Sequence, residues 1–247
     1  MNRHLTIAGV LWVVFTVLSL WGAMAMNPFP TVGAQEATLF DHAFRLMTYM
    51  GAPVFGFMMA ALIYSVLHFR AKNTNAGAPT EDGPPIHGHG AIPKIWVGVT
   101  TALCLVVMIY PGLTGLAEIR ADRSHDVEVK VTGSRWVWAL EYPQGGFQAD
   151  ELVLPVGKRV KFDLTAPAGD VLHSFWVPAF RQKLTTLPGQ MTYMYITPTQ
   201  TGDGHSDAAF RVQCSELCGL LHSRMQLNVR VVEQAEYDKW VAEKVKK

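Results

Sequence analysis

Two cysteines, a histidine and a methionine lie close together near the end of the chain, as Cys214, Cys218, His222 and Met225. Thiolate and thioether sulfurs combined with imidazole nitrogen favour copper over hard cations. A methionine ligand is typical of electron-transfer copper, whereas structural zinc is held by cysteine and histidine. The spacing lets both thiols lie between two metal ions, with His222 on one of them. The second ion then needs a histidine from elsewhere in the chain.

A disulfide between Cys214 and Cys218 is the alternative for this segment, as are two unrelated buried thiols beside a surface histidine. The disulfide leaves His222 and Met225 unexplained. The candidate for the second imidazole is His173, which lies in the apolar segment of residues 170–178. A lone histidine in such a segment is more often a core residue with satisfied hydrogen bonds. The copper assignment of His173 therefore depends on the motif around it.

Three motifs follow one another along the chain: D-V-L-H-S-F-W-V-P at residues 170–178, P-G at residues 188–189, and C-S-E-L-C-G-L-L-H-S-R-M at residues 214–225. They resemble the motifs of subunit II of haem-copper respiratory oxidases. The likeness extends from about residue 40 to the end of the chain. It implies a binuclear copper centre, called CuA, carried by a cupredoxin-like Greek-key barrel.

The resemblance also implies which groups hold the two copper ions. The ligands would be the bridging thiolates of Cys214 and Cys218, one imidazole each from His173 and His222, the weak axial sulfur of Met225, and the backbone carbonyl of Glu216. In the family, the carboxylate of this glutamate ligates magnesium at the junction with subunit I. A carboxylate that is hydrogen-bonded within the loop is the alternative role of Glu216.

An aromatic segment upstream resembles the family motif G-x-x-W-x-W-x-x-E-Y. It covers residues 133–142 and contains Trp136 and Trp138. The resemblance assigns Trp136 to the point where electrons arrive from the donor. Alternation along a strand would place both tryptophans on one face, so a purely structural role in the core is the alternative.

The composition predicts that part of the chain lies in lipid, since 49% of the residues are hydrophobic and only 17% are charged. Residues 5–26, 44–69 and 95–117 are each long enough to cross a bilayer as a helix. The first segment also fits a cleavable signal peptide, which would leave two helices. We expect three retained helices, with residues 1–119 forming a transmembrane anchor.

Basic residues near the ends of these segments predict the topology, because they favour the cytoplasmic side. Those expected inside are Arg3, Arg70, Lys72 and Lys94. The loop of residues 27–43 contains Glu36 and Asp41 but no lysine or arginine, which fits the outer face. Residues 71–93 are predicted to form a cytoplasmic loop. His87 and His89 in this loop could bind a metal ion, but the sequence nearby offers no clear third ligand.

The sequence after residue 120 alternates apolar and polar residues, which predicts an all-β outer domain over residues 120–232. Three groups of apolar residues would each share a strand face: Val127, Val129 and Val131; Val160, Phe162 and Leu164; and Leu227, Val229 and Val231. The metal-binding loop would join a strand near residues 208–212 to one that starts near Met225. Helical spacing of Tyr237, Trp240, Val241 and Lys244 predicts an amphipathic helix over residues 233–247. Cys104 lies within the third span and is most simply a small apolar residue.

The charges of the outer domain say little about the electron donor, because fifteen basic and fifteen acidic residues follow residue 120. Family members that dock a basic cytochrome c use acidic residues, and Asp150, Glu151 and Asp170 are the candidates for such steering.

Two positions depart from the family pattern. Pro93 stands where many members carry a glutamate that opens a proton channel in subunit I, and Thr185 stands where the family often has an aspartate before the Pro-Gly turn.

The resemblance implies subunit II of a terminal cytochrome c oxidase. It would accept electrons from cytochrome c, or another periplasmic donor, and pass them to haem in subunit I, where oxygen reduction is coupled to proton translocation. Expected partners are subunit I, further membrane subunits and lipid of the cell inner membrane, with the copper domain on the periplasmic side and no nucleic acid. The alternatives are a CuA subunit of a membrane nitric oxide reductase and a non-enzymatic membrane-anchored copper-binding protein.

Overall fold

The computed structural model describes residues 3–69 and 90–246. Arg70, Lys72, His87 and His89, to which the sequence assigned roles, lie outside the described residues. The chain divides into two compact units by its contacts. The first comprises Met1–Pro28 and Ala43–Thr114, and the second comprises Phe29–His42 and Gly115–Lys247. The sequence did not anticipate that Phe29–His42 would belong with the β domain.

Three helices are long and apolar enough to cross a membrane: Arg3–Ala25, Gln35–His68 and Ala91–Ala121. They confirm the predicted N-terminal helical anchor. The first two are α1 and α2, and the third comprises α3 (Ala91–Val107) and α4 (Thr114–Ala121), separated by Met108–Leu113. Tyr110 in this break has extended backbone angles, as expected for a residue that precedes a proline.

The second unit contains two β-sheets. The strands are β1 (Val127–Ser134), β2 (Val137–Tyr142), β3 (Phe147–Ala149), β4 (Leu152–Pro155), β5 (Val160–Thr165), β6 (His173–Trp176), β7 (Lys183–Thr186), β8 (Thr192–Ile196), β9 (Gly202–Asp203), β10 (Arg211–Cys214) and β11 (Gln226–Val232). One sheet has the order β3-β2-β1-β5-β8. The other has the order β4-β11-β10-β6-β7, and β9 pairs with β11.

The two sheets enclose one core, which buries the predicted apolar strand faces. Val129, Phe162 and Val229 are fully buried. The rings of Phe162 and Phe175, one from each sheet, lie 5.2 Å apart. Each sheet contains one parallel pair, β1 with β5 and β11 with β4, so the chain must cross between sheets rather than run as simple hairpins. The structure confirms the expected cupredoxin-like Greek-key barrel.

A final helix, α5 (Gln234–Val245), covers one end of the barrel. It buries Tyr237 and Trp240, which lie on the helical face that the spacing indicated. The ring of Trp240 meets those of Tyr142 and Phe147 at 5.1 and 5.3 Å. This aromatic cluster closes the β2–β3 end of the core.

The segment Phe29–His42, here called the tether segment, is bound to the β-sheets by backbone and ionic contacts. Ala34 forms a β-bridge with Pro198, and the Gln35 N–H donates to the Thr197 carbonyl. Two ion pairs, Arg159–Glu36 at 3.1 Å and Arg181–Asp41 at 2.7 Å, are largely buried. Because these contacts fix the backbone at Gln35, α2 begins there rather than near residue 44.

Candidate metal centre

Two neighbouring antiparallel strands bring the predicted metal-binding residues together. Cys214 at the end of β10 pairs with Phe175 of β6, two positions from His173. His173, Phe175 and Cys214 therefore share one face of the sheet. Strand β10 starts at Arg211 rather than near residue 208, because residues 207–210 form a turn in which the Phe210 N–H donates to the Asp207 carbonyl.

The loop between β10 and β11 supplies the remaining donor atoms. Its base is closed by a hydrogen bond from the Cys214 N–H to the carbonyl of Met225. Cys218 lies within the loop, and His222 opens a short 3-10 turn of residues 222–224. Since β10 and β11 pair directly, the loop folds back over the inner face and presents its side chains to His173.

The six predicted ligand groups converge on a small volume. The Cys214 and Cys218 sulfurs are 3.8 Å apart, too far for a disulfide, and both cysteines are free. The Nδ1 atom of His173 is 4.0 Å from the Cys214 sulfur, and that of His222 is 3.5 Å from the Cys218 sulfur. The Met225 Sδ atom lies 3.8 Å from the Cys218 sulfur. The Glu216 carbonyl oxygen lies 3.2 Å from the Cys214 sulfur.

Burial sets the protonation of these groups. His173 and Met225 are fully buried, and Cys218 is 3% exposed. Burial lowers the pKa of His173, although the nearby Asp170 opposes this, so its imidazole is neutral near pH 7 and able to bind a metal. Burial, with the neighbouring Cys214 thiol, raises the pKa of Cys218 to about 11. A metal that binds here must displace a proton from Cys218.

The donor set fits copper. Two thiols, two imidazoles, a thioether and a carbonyl combine soft and borderline ligands, which suit copper ions, and no carboxylate within the described part of the chain contacts the sulfurs. Both imidazoles direct the same ring atom, Nδ1, toward a sulfur. The fully buried His173 Nε2 has no hydrogen-bond partner within the described residues. Its position is explained by a metal at Nδ1 better than by a structural histidine.

Asp170 lies behind the centre. Its carboxylate is 3.6 Å from His173 Nε2, longer than a hydrogen bond but close enough to orient the ring. Although burial opposes ionisation, hydrogen bonds from the backbone N–H groups of Arg135 and Val171 keep the pKa of Asp170 below its ordinary value. The sequence indicated Asp170 only as a candidate for docking the electron donor. An aspartate three residues before a ligand histidine was the signal for this second role.

The two tryptophans of the aromatic segment lie in different environments. Trp138 is buried against His173 and Phe175, and its Nε1–H donates to the Met225 carbonyl at 3.3 Å. Trp136 precedes β2 in a turn and is half-buried. Its Nε1–H donates to the carbonyl of Cys218 at 3.1 Å. The pure core role therefore suits Trp138, whereas Trp136 joins the protein surface to the metal-binding loop.

Comparison with known proteins gives a consistent result. Residues 146–232 match the family model described as cytochrome c oxidase subunit II, periplasmic domain. Residues 146–232, which form most of the β domain, therefore match the cytochrome c oxidase subunit II family. The chain is 32% identical over 217 residues to cytochrome c oxidase subunit 2 of Alkalihalophilus pseudofirmus, covering 85% of this chain and 59% of that protein. It is 27% identical over 280 residues to cytochrome c oxidase subunit 2 of Thermostichus vulcanus, and this match covers 92% of this chain and 82% of that protein.

One solved structure similar to the outer domain is the periplasmic domain of cytochrome oxidase subunit II (CoxB) of Bradyrhizobium japonicum. It is 33% identical, with a TM-score of 0.44, and the match covers 50% of this chain and 96% of that one. The family model spans β3 to β11 and hence every predicted ligand. The three apolar helices and the match of the β domain to the periplasmic domain of this family fit a membrane-anchored protein with a periplasmic domain.

Other predicted positions of this chain are also defined by the structure. The Glu216 carboxylate has no hydrogen-bond partner in the part of the chain that the structure describes, so the alternative of a bond within the loop is not observed. Pro93 lies in the first turn of α3, where its missing N–H leaves no helical bond unmade. Cys104 is exposed on the same helix and lies far in sequence from the centre.

Proposed function

We propose that the chain is the electron-accepting subunit of a terminal cytochrome c oxidase, with a binuclear copper centre as its resident cofactor. The observation that supports this most directly is the convergence of both Nδ1 atoms on the two sulfurs of Cys214 and Cys218. A protein that only stored copper would not need Trp136 attached to the ligand loop. The proposed activity is electron transfer into an oxygen-reducing partner.

In this proposal the six donor groups share one role. Cys214 and Cys218, His173 and His222, and Met225 with the Glu216 carbonyl would together hold two copper ions. The copper pair, when bound, would supply a centre that accepts and releases one electron at a time. The chain keeps these ligands buried, which excludes water and limits the rearrangement that accompanies each transfer.

Trp136 is the proposed point where electrons arrive. Its half-buried ring reaches the surface, and its hydrogen bond to the Cys218 carbonyl provides a short connection to a residue that would hold the copper ions. A β-carbon on Gly219 would lie 3.4 Å from the ring, so the loop rests directly against the indole. A larger residue there would press on Trp136.

Glu216 is the proposed link to the partner. Its carbonyl faces Cys214, and its carboxylate, which has no hydrogen-bond partner among residues 3–69 and 90–246, is available to bind magnesium together with ligands from subunit I. Further partners in this proposal are membrane subunits, inner-membrane lipid, and cytochrome c or another periplasmic donor. Because Pro93 has no titratable group, proton uptake and translocation are assigned to the partner subunit.

Copper loading of the full chain in detergent tests the centre. We expect two copper ions per chain, a purple absorption spectrum, and an electron paramagnetic resonance signal that shows one electron shared by both ions. Cys218→Ser should abolish the signal. Cys104→Ser, a cysteine change away from the centre, should leave it intact. One copper per chain, or full colour in Cys218→Ser, would overturn the assignment.

Purification of the membrane complex tests the partner. We expect a co-purifying subunit that contains haem and an additional copper ion and that reduces oxygen. A partner that contains haem and non-haem iron and reduces nitric oxide would contradict the proposal. Metal analysis of the purified complex separates the two outcomes. After the two copper ions assigned to this chain are subtracted from the total, a third copper ion indicates the oxygen-reducing partner, whereas additional non-haem iron indicates the nitric-oxide-reducing one.

A further inference from the structure

A small cavity lies where the third membrane helix meets the β-sheets. Its volume is about 300 Å³, and its walls come mainly from the end of α4, the segment that follows it, and β8 at the edge of one sheet. All of these residues belong to the second compact unit. The polar and aromatic side chains that line the cavity are Arg120, Asp122, Arg123, Gln182, Tyr193 and Tyr195. These six residues are here called the arginine pocket.

The arginine pocket has an excess of positive charge. Neither Arg120 nor Arg123 forms an ion pair with a carboxylate in the part of the chain that the structure describes. Asp122 is ionised, because the hydroxyl and the backbone N–H of Ser124 donate to its carboxylate and lower its pKa. The carbonyl groups at the end of α4 add roughly half a negative charge. Two guanidinium groups outweigh both contributions, so the pocket favours an anion.

Two tyrosines supply neutral hydrogen-bond donors to the same pocket. Tyr193 is 56% exposed, and the Lys161 Nζ atom lies 5.1 Å from the centre of its ring. The guanidinium carbon of Arg159 lies 5.4 Å from the centre of the Tyr195 ring. Among the described residues, no group forms a hydrogen bond with either phenol hydroxyl. The hydroxyls are therefore available to a ligand, whereas Lys161 and Arg159 are paired with carboxylates of their own.

The pocket lies at the height of the lipid headgroups. The apolar part of the third span ends near residue 117, and α4 continues to Ala121. At about 1.5 Å per residue, Arg120 lies about 5 Å beyond the hydrocarbon layer. The headgroup region on each side of a bilayer is about 5–8 Å thick. The Arg120 guanidinium is therefore level with the phosphates, at a depth where tyrosine is also enriched.

We propose that the arginine pocket binds the phosphate group of an anionic phospholipid. Arg120 and Arg123 each carry the forked N–H groups that match two phosphate oxygens, and the tyrosine hydroxyls can donate to the remaining ones. Ile119 and Met194, which also line the cavity, would contact the glycerol and the first acyl carbons. A bound lipid would fix the start of the β unit to the membrane surface. The inference requires only the membrane anchor and does not depend on the copper centre.

Lipid titration of the full chain in detergent tests the proposal. The probes are dioctanoyl phosphatidylglycerol, which is anionic, dioctanoyl phosphatidylcholine, which has the same chains and phosphate but a cationic headgroup, and inorganic phosphate. Native mass spectrometry counts the bound molecules at each concentration. We expect one phosphatidylglycerol to bind at least about fivefold more tightly than phosphatidylcholine. Inorganic phosphate at the same concentration should not displace it.

Substitutions locate the site. Arg120→Gln and Arg123→Gln should each weaken phosphatidylglycerol binding about fivefold, which is the effect of one basic residue near an anionic lipid. Arg123→Lys keeps the charge but not the forked donors, so it should lose less affinity. Lys239→Gln is the matched control, because it removes one exposed positive charge from α5, outside the pocket, and should leave binding unchanged. Circular dichroism checks that each variant is folded.

Several outcomes would overturn the inference. Equal binding of the two lipids, or unchanged binding in folded Arg120→Gln and Arg123→Gln, would show that the pocket does not select an anionic lipid. Displacement by inorganic phosphate would show a site for free anions. Loss of a haem-bearing partner from the membrane complex of Arg123→Gln would show that the pocket is a subunit contact. The copper spectrum is measured separately, and its absence would contradict only the proposed function.

Discussion

The backbone around the metal centre is held by contacts that do not involve a metal. The Thr186 hydroxyl donates to the His173 carbonyl, and Trp138 donates to that of Met225. Gly133 lies against these groups, since a β-carbon there would come within 2.8 Å of the Trp138 ring and 3.3 Å of His173. The ligands are therefore fixed by packing, and the site should change little in shape when its charge changes.

Asp170 should tune the potential of the centre through His173. Asp170→Asn removes a negative charge 3.6 Å from the outer ring nitrogen, which destabilises the more positive, oxidised state. We expect the reduction potential to rise by roughly 30–60 mV, equivalent to about 1 kcal/mol for one electron, with two copper ions still bound. A redox titration followed by absorbance measures the shift. A fall in potential would contradict this electrostatic role of Asp170.

Cys218 should link copper binding to pH. Its thiol, with a pKa raised to about 11 by burial, is protonated at pH 7 and must lose its proton to become a ligand. Each proton released makes the apparent copper affinity rise about tenfold per pH unit below that pKa. Competition with a chelator between pH 6 and pH 8 should show this increase; an affinity independent of pH would indicate a thiol that is already ionised.

Helix α2 is an element whose start depends on a distant partner. Helical periodicity and apolar content indicated a span that begins near residue 44, yet the helix begins at Gln35. Glu36 accepts from the Thr197 N–H and pairs with Arg159. A hydrophobic sequence pattern indicates the apolar part of a helix. It does not indicate a polar first turn that is stabilised by contacts with residues far along the chain.

Glu36→Ala should strongly weaken the attachment of the tether segment to the β-sheets. The Glu36 side chain is 5% exposed, and its removal leaves the Arg159 guanidinium buried without its counter-charge. We expect a loss of about 3 kcal/mol in the free energy of unfolding, measured by denaturant titration in detergent. Glu141→Ala is the control, because its pair with Lys130 is nearly half exposed and should contribute less than about 1 kcal/mol. Equal losses would argue against a structural role for the buried pair.

At the scale of the whole molecule, local patterns predicted the three apolar helices and the inner faces of β1, β5 and β11. The motifs indicated that His173 and the loop with Cys214 and Cys218 form one metal site, and the donor atoms of these residues do lie together. The tether segment and the ion pairs of Asp150, Glu151 and Asp170 with basic side chains were not predicted. Both depend on contacts between residues far apart in sequence, and a single sequence contains no signal for those.

The tether segment should stabilise the β unit when the membrane spans are absent. A soluble fragment of residues 120–247 leaves Arg159 and Arg181 without Glu36 and Asp41. The same fragment with residues 29–42 attached through a glycine-serine linker should unfold at a temperature higher by at least about 5 °C. Thermal unfolding followed by circular dichroism measures the difference. A variant with Glu36→Ala and Asp41→Ala in the attached segment should lose most of it.

The tether segment also fixes the order of events during synthesis. Glu36 is made 123 residues before its partner Arg159, and the rest of α2 and one further membrane helix are made between them. The outer unit therefore cannot finish folding until most of the chain has been translated and its last span has been inserted. Copper insertion into the proposed centre would then be a late step of biogenesis, because Met225 is synthesised after every residue that contacts the tether segment.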